Sequence, residues 1–410
     1  MTTRAKENVL LLVHRIPFPP DKGDKIRSWH LLEHLAQQVQ VHAAYFIDDE
    51  SDLQYVGKVD AVCASTCHIV VQPLLARLKS LTGLLFGRPL TLDYYYHPAM
   101  RQWVDDTIAL HKIRHIVVFS SAMAQYVEQQ ADTRRIIDFV DIDSDKWLQY
   151  AKKKWWPLNW LYQREAARLL QYERKIAALF DYSLFVSRHE AELFRQLAPE
   201  SAAKIGYFSN GVDTDYFSPD VMLPSPYPTS RKNIVFTGAM DYWPNCDAVE
   251  WFAHDILPLI RDQHPDADFY IVGARPGKAV RELALLDGVF VTGTVPDVRP
   301  YLCHAQAAVA PLRIARGIQN KVLEAMSMAR TVVVTPDALE GIDAASDEEI
   351  LLAKNEMQFA THVCNLFNGT QKDLGAAARR KMISVYGWEA NLSAFDRVLM
   401  VPDPVAGGDQ

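Results

Sequence analysis

Gly317-Ile318-Gln319-Asn320-Lys321-Val322-Leu323-Glu324-Ala325-Met326, followed by Thr331-Val332-Val333-Val334-Thr335 and then Glu340-Gly341-Ile342, reads as turn, short helix, buried strand and second turn. Gly317 frees the backbone where the chain must bend sharply. Asn320 is placed to cap the helix through its side-chain oxygen. A helix start presents unpaired N–H groups and the positive end of its dipole, which favours an anion. Lys321 adds a full positive charge there, and Glu324 follows one turn later on roughly the same face. A carboxylate repels phosphate but accepts hydrogen bonds from a ribose diol. One small surface thus offers an anion seat and a sugar acceptor, the two features a nucleotide-sugar requires. The plain alternative is an ordinary helix of an α/β domain, since short motifs also match by chance.

Outward from this stretch the chain repeats strand, turn and helix. Residues 8–14 read as a buried strand, with the apolar run 9–13 that a strand covered on both faces needs. A loop with Pro17, Pro19, Pro20 and Gly23 leads to Ile26, Trp29, Leu32 and Leu35, which recur at helical spacing. Strands are expected at 39–46, 68–71, 115–119, 135–139 and 182–186. The pattern restarts at 233–236 and continues through 268–272, 289–292, 307–310 and 331–334, with glycines at strand ends. This alternation predicts an α/β protein of two Rossmann-like domains facing across a cleft. The expected boundaries are a first domain over 1–220 and a proline-rich linker over 221–231. The second domain covers 232–385, and 386–410 form a last helix returning to the first domain, with a loose tail.

With 410 residues the chain is long enough for two or three domains with sizeable cores. Its formal net charge of −7 argues against nucleic acid, whose binding rests on clustered Lys and Arg. The fingerprint G-x-G-x-x-G is absent from the first strand-loop-helix unit, against a nicotinamide cofactor. Five dispersed cysteines suit a reducing compartment, and Cys63, Cys67 and His68 lack a second pair at zinc spacing. The apolar run 8–13 is too short for a signal peptide, and no run reaches the length of a membrane span. A cytoplasmic protein is expected, touching at most the inner face of the cytoplasmic membrane.

Three further stretches carry chemistry. Asp141, Asp143 and Asp145 follow a strand end, where carboxylates serve sugar hydroxyls, an acceptor nucleophile, Mg²⁺ or a helix cap; metal is the less favoured reading. Leu74–Phe86 mixes leucines with Arg77 and Lys79, which fits a core helix better than a lipid-facing one. Lys152-Lys153-Lys154-Trp155-Trp156 with Trp160 reads as a solvated helix start or an interfacial belt.

Gly317, Asn320-Lys321, Glu324-Ala325-Met326 and Glu340-Gly341-Ile342 together resemble the C-terminal signature of the family-four retaining glycosyltransferases, which have the GT-B fold. The nearest branch is that of the sugar transferases associated with bacterial exopolysaccharide gene clusters. The resemblance covers about residues 233–345. It implies that Glu324 holds the donor ribose and that the first domain takes the acceptor. It also implies that Gly23, with Asp24 and Arg27 beside it, approaches the donor diphosphate or the acceptor. The family carries a second glutamate eight residues before Glu324, and here that position is Arg316. Its basic pair in the loop that begins at Gly238 is missing too, so Arg313, Arg316 and Lys321, with Arg275, are the candidates to neutralise a diphosphate. Asp141 is the candidate on the first domain. The implied activity is retaining transfer of a sugar from a nucleoside-diphosphate donor to a glycan or lipid-linked acceptor, without a cofactor. The alternatives are a nucleotide-sugar-binding protein that lost catalysis and a GT-B epimerase.

Overall fold

The computed structural model describes residues 6–20, 23–85, 87–152, 155–315 and 317–399. The chain falls into two compact units, 1–209 with 392–410 and 210–391. The first carries a parallel sheet in the order β3-β2-β1-β4-β5-β6-β7. Its strands are β1 (Asn8–Val13), β2 (Gln40–Ile47), β3 (Ser65–Val70), β4 (His115–Phe119), β5 (Arg134–Val140), β6 (Tyr182–Phe185) and β7 (Ile205–Tyr207). The second carries β10-β9-β8-β11-β12-β13. There the strands are β8 (Lys232–Thr237), β9 (Ala267–Val272), β10 (Val289–Gly293), β11 (Ala307–Ala310), β12 (Val332–Val334) and β13 (Leu351–Leu352). Both are Rossmann-like sheets, in which the strand order reverses between the first and fourth strands. In such sheets that reversal opens a crevice at the carboxyl ends, where ligands sit.

The apolar runs explain the strands. Leu10, Leu11 and Leu12 are fully buried because helices cover both faces of β1. Phe46, Val118, Phe139 and Phe185 belong to the core of the first unit, and Phe236, Ile271, Val309 and Val333 to that of the second. β7 and β13 lie outside the strands expected from the sequence, being too short to show a pattern. The helix after β8 starts at Trp243, with a proline in its first turn.

Segment 221–231, expected to be a linker, folds onto the second unit. Tyr227 is buried, its ring lies 4.6 Å from that of Tyr270, and its hydroxyl donates to the Tyr301 carbonyl at 2.7 Å. Further back, a side chain at Gly211 would lie 2.7 Å from the Trp388 indole, so only glycine fits beneath that ring. Val212 bridges Gly387 beside it.

Arg27, on the helix Gly23–Gln38, is fully buried. Its Nε donates to Asp138 Oδ2 at 2.6 Å and its Nη2 to Asp138 Oδ1 at 3.2 Å. Nη1 donates to the Phe208 carbonyl at 3.0 Å, and the guanidinium lies 3.5 Å from the centre of the Phe208 ring. This corrects its assignment as a ligand contact: the fork ties the helix to β5 and to the segment after β7. Burial pushes the Asp138 carboxyl up, and Arg27 opposes that shift. Arg27→Met is expected to cost about 3–5 kcal/mol in urea unfolding, because it strands a buried carboxylate. Adding Asp138→Leu should recover most of that loss; a single variant as stable as wild type contradicts this account.

Candidate functional site

In the second unit the site grows from the helix Asn320–Ser327. Gly317 takes the left-handed conformation at φ 63°, which turns the chain into it. Gln319, not Asn320, is the capping residue, and it makes no side-chain cap. Asn320 is the first helical residue. Its Oδ1 accepts from Asn210 Nδ2 at 3.3 Å. Val322, Leu323, Ala325 and Met326 face the core, leaving Lys321 and Glu324 half-buried on the other side.

Lys321 reaches back over the sheet. Its Nζ donates to Asn245 Oδ1 at 3.0 Å and lies 5.3 Å above the Phe236 ring. Asn245 Nδ2 in turn donates to the Ala239 carbonyl at 2.8 Å. Gly238, just past β8, makes room for this contact: a Cβ there would lie 2.8 Å from Asn245 Nδ2 and 3.2 Å from Lys321 Cε. Gly273, just past β9, is tighter still, because its Cβ would lie 1.7 Å from the Gly238 oxygen. Lys321 therefore stands at the carboxyl end of β8, beside the strand-order reversal between β8 and β11.

Burial dominates the electrostatics. It pushes the Lys321 ammonium down to about 8, against the pull of Glu324. It pushes the Glu324 carboxyl up to about 7, against the pull of Lys321. Glu324 accepts no hydrogen bond from any described residue. A half-buried carboxylate with a shifted titration and no donor is a common mark of a ligand site. Tyr216 is close enough to feel the Glu324 charge, and the Arg299 guanidinium lies 3.8 Å from the centre of its ring. Arg299 also holds Asp297, with Nη2 2.7 Å from Oδ2.

The other candidates are placed as follows. Glu340 is exposed and ends the short helix Pro336–Leu339. The next residue, Gly341 (φ 82°), brings this turn against Gly317 and Ile318. Arg313 forks onto Asp247 at 2.6 and 3.0 Å, and Arg275 onto Asp241 at 2.5 and 3.4 Å. Both guanidiniums are half exposed and already hold a carboxylate. Arg316 lies outside the described residues. A surface recess beside β13, lined by Asp347, Lys354, Gln358 and His362, contains none of these residues.

In the first unit Gly23 opens its helix and is exposed. Asp24 is held by Arg15 Nη1 at 2.7 Å and His14 Nε2 at 3.3 Å. Burial pushes its carboxyl up, but those partners outweigh burial and hold it well below the usual range. Asp141 lies 2.8 Å from Lys146 Nζ, and Asp143 3.4 Å from it. An ammonium thus sits between the two carboxylates of the Asp-x-Asp pattern. Among the described residues no cluster of three metal-ligating side chains occurs. Sequence reading missed Asn245, Tyr216 and Arg299. Asn245 carries no charge to mark it, and Tyr216 lies far from the motif along the chain.

Residues 231–369 match the family described as glycosyl transferases group 1. A curated relative, an uncharacterized 44.6 kDa protein in the cps region of Klebsiella pneumoniae, is 22% identical over 215 residues. That alignment takes in 48% of this chain, and the chain spans about half, 50%, of the relative's length. Among solved structures, sucrose-phosphate synthase from Thermosynechococcus elongatus is similar with a TM-score of 0.69 at 16% identity, over 96% of this chain and 98% of that one. WaaG, a glycosyltransferase involved in lipopolysaccharide biosynthesis, gives 0.66 at 13% identity, over 96% and 100%. Anabaena HepE in complex with UDP-glucose gives 0.66 at 13% identity, over 96% and 99%. At such identities the likeness concerns architecture, and the fold is GT-B. No helix among the described residues is long and apolar enough to cross a membrane.

Proposed function

We propose that the protein moves a sugar from a nucleoside-diphosphate donor to a glycan or lipid-linked acceptor, with retention at the anomeric carbon, in bacterial exopolysaccharide synthesis. The observation that carries this is the pair Lys321 and Glu324. An ammonium and a carboxylate without a hydrogen-bond donor share one face at a helix start, beside the crevice of a Rossmann-like sheet. Glu324 accepts from the ribose hydroxyls. Lys321 and the first N–H groups of its helix take the diphosphate. A solved structure of the same architecture holds UDP-glucose, and a relative lies in a cps region, which supports this donor class and setting.

In the reaction the bond from the anomeric carbon to the phosphate oxygen breaks and the acceptor oxygen bonds to that carbon from the same face. The acceptor proton passes to the departing phosphate, so no separate base is required. Lys321 matches the negative charge that grows on the leaving group. Arg275 and Arg313 join it only by exchanging Asp241 and Asp247 for the diphosphate. Asp141 already faces Lys146, which leaves it a minor part in acceptor binding.

Thermal shift across UDP-, GDP- and ADP-sugars is expected to single out one donor, because a ligand that binds only the folded form raises the melting temperature. Lys321→Ala should then lower turnover about a hundredfold with a smaller change in donor affinity. Unchanged turnover removes Lys321 from the site. A second reading is a binding protein without transfer, favoured by the loop 238–245, which has no Lys or Arg. Donor hydrolysis or transfer above background excludes it.

A further inference from the structure

The first unit leaves an unusual amount of apolar surface uncovered in two places. The helix Pro73–Ser80 buries only Ser80, while Leu74 is 76% exposed and Leu78 65% exposed. Leu75 and Leu81 are also exposed. This corrects the expectation that the leucines face a core: helical spacing shows that a face is apolar, not that anything covers it. Ahead of and within the first turn of the helix Leu158–Leu179, Trp155 is 92% exposed and Trp156 83%, with Leu158 and Trp160 exposed beside them.

The two places are joined. Arg164 Nη2, one turn after Trp160, donates to the Gly83 carbonyl at 2.9 Å. Glu165 accepts from the Leu90 amide at 2.8 Å and the Thr91 amide at 2.9 Å. The start of one helix is thereby fixed to the segment that follows the other. Charge follows the same surface. Arg77, Lys79 and Lys152 are exposed there, while Arg88 and Arg164 stand beside Asp93 and Glu165; in the sequence Lys153 and Lys154 follow Lys152. This occurs in a chain whose net charge is −7. Arg77 and Lys152 are exposed and form no ion pair with a described residue.

We propose that this surface docks the protein on an anionic phospholipid bilayer, with Leu74, Leu78, Trp155, Trp156 and Trp160 entering the headgroup layer and the surrounding cations meeting lipid phosphates. Stable attachment without a spanning segment needs an apolar anchor together with electrostatic attraction, and both are present here. The surface is independent of the donor site: a protein that binds no nucleotide-sugar still docks.

The test is sedimentation of the full chain with vesicles of phosphatidylcholine, with and without phosphatidylglycerol. Binding is expected only with the anionic lipid and should weaken as salt is raised. Brominated lipid should quench tryptophan emission. Trp155→Ser with Trp156→Ser should remove most of that quenching, leaving the share of Trp160, and weaken partition about tenfold. Arg77→Gln with Lys152→Gln should weaken it about twenty-fivefold, roughly fivefold for each cation removed. These side chains are exposed, so the circular dichroism melts should be unchanged. Leu285→Ser, at an exposed leucine of the second unit, should bind as wild type does. Absence of binding at low salt, equal binding to neutral vesicles, or a surface that instead pairs two copies of the chain and leaves vesicles unbound would overturn the proposal.

Discussion

Gly273→Ala is expected to unfold the second unit at far lower urea than wild type, while the first unit keeps its transition. The added methyl would lie 1.7 Å from the carbonyl oxygen of Gly238, well inside contact distance. That oxygen is backbone and cannot swing aside. Relief requires β8 and β9 to part just where the Gly238 amide donates to the Val272 carbonyl at 3.0 Å. Overpacking of this kind costs upwards of about 3 kcal/mol, against a domain stability of roughly 5–15 kcal/mol. Two separated transitions are to be fitted separately, since a two-unit chain does not melt as one. Gly277→Ala is the control: nothing lies within 4 Å of its added methyl, and no change is expected. A Gly273→Ala protein that melts with wild type refutes the close contact.

Glu324→Gln should weaken donor binding about a hundredfold at pH 8, since two charge-assisted hydrogen bonds to a ribose diol are worth about 3 kcal/mol together. The same change should stabilise the unliganded protein at that pH. The folded Glu324 carboxyl titrates at about 7, above its ordinary 4.5. The folded form therefore holds the proton more tightly, and wild type loses stability as pH rises from about 4.5 to 7. Glutamine has no such loss, so the variant should gain about 1 kcal/mol at pH 8 and nothing at pH 4.5. Part of the gain is offset because Lys321 loses its carboxylate neighbour. Lys321 adds the opposite limb. Its folded value of about 8 lies below the ordinary 10.5, so its burial penalty is present below pH 8 and eases as pH rises further. Donor binding, which needs the carboxylate charged and the ammonium protonated, should peak between about pH 7 and 8. A Glu324→Gln protein with wild-type affinity removes Glu324 from the ribose, and one with the wild-type dependence of stability on pH contradicts the raised titration of its carboxyl.

Most strands were legible because they are apolar runs, with glycine at the ends of β8, β9 and β10, and the helix at Asn320 was legible because Gly317, Lys321 and Glu324 are neighbours in the chain. What escaped the sequence is pairing over distance. Arg27 looks like an exposed loop cation until Asp138, 111 residues away, is seen to hold it. Arg275 and Arg313 look uncommitted until Asp241 and Asp247 are placed beside them. Asn245 escaped for another reason: a neutral amide is common in loops, and only its contact with Lys321 distinguishes it. The exposed leucines at 74–78 escaped because periodicity carries no information about what lies opposite.

The rim of the second sheet is furnished by Gly238, Gly273 and Gly293, one at or just past the end of each of three adjacent strands. A molecule resting there meets peptide groups and Cα hydrogens. Residue exchange at Gly273 forces the strands apart, and exchange at Gly238 pushes on Asn245 and Lys321; at Gly293 the left-handed backbone, φ 69°, opposes it. Evolution and the protein engineer alike must therefore work on the facing helix and its flanking loops, where side chains exist to be changed.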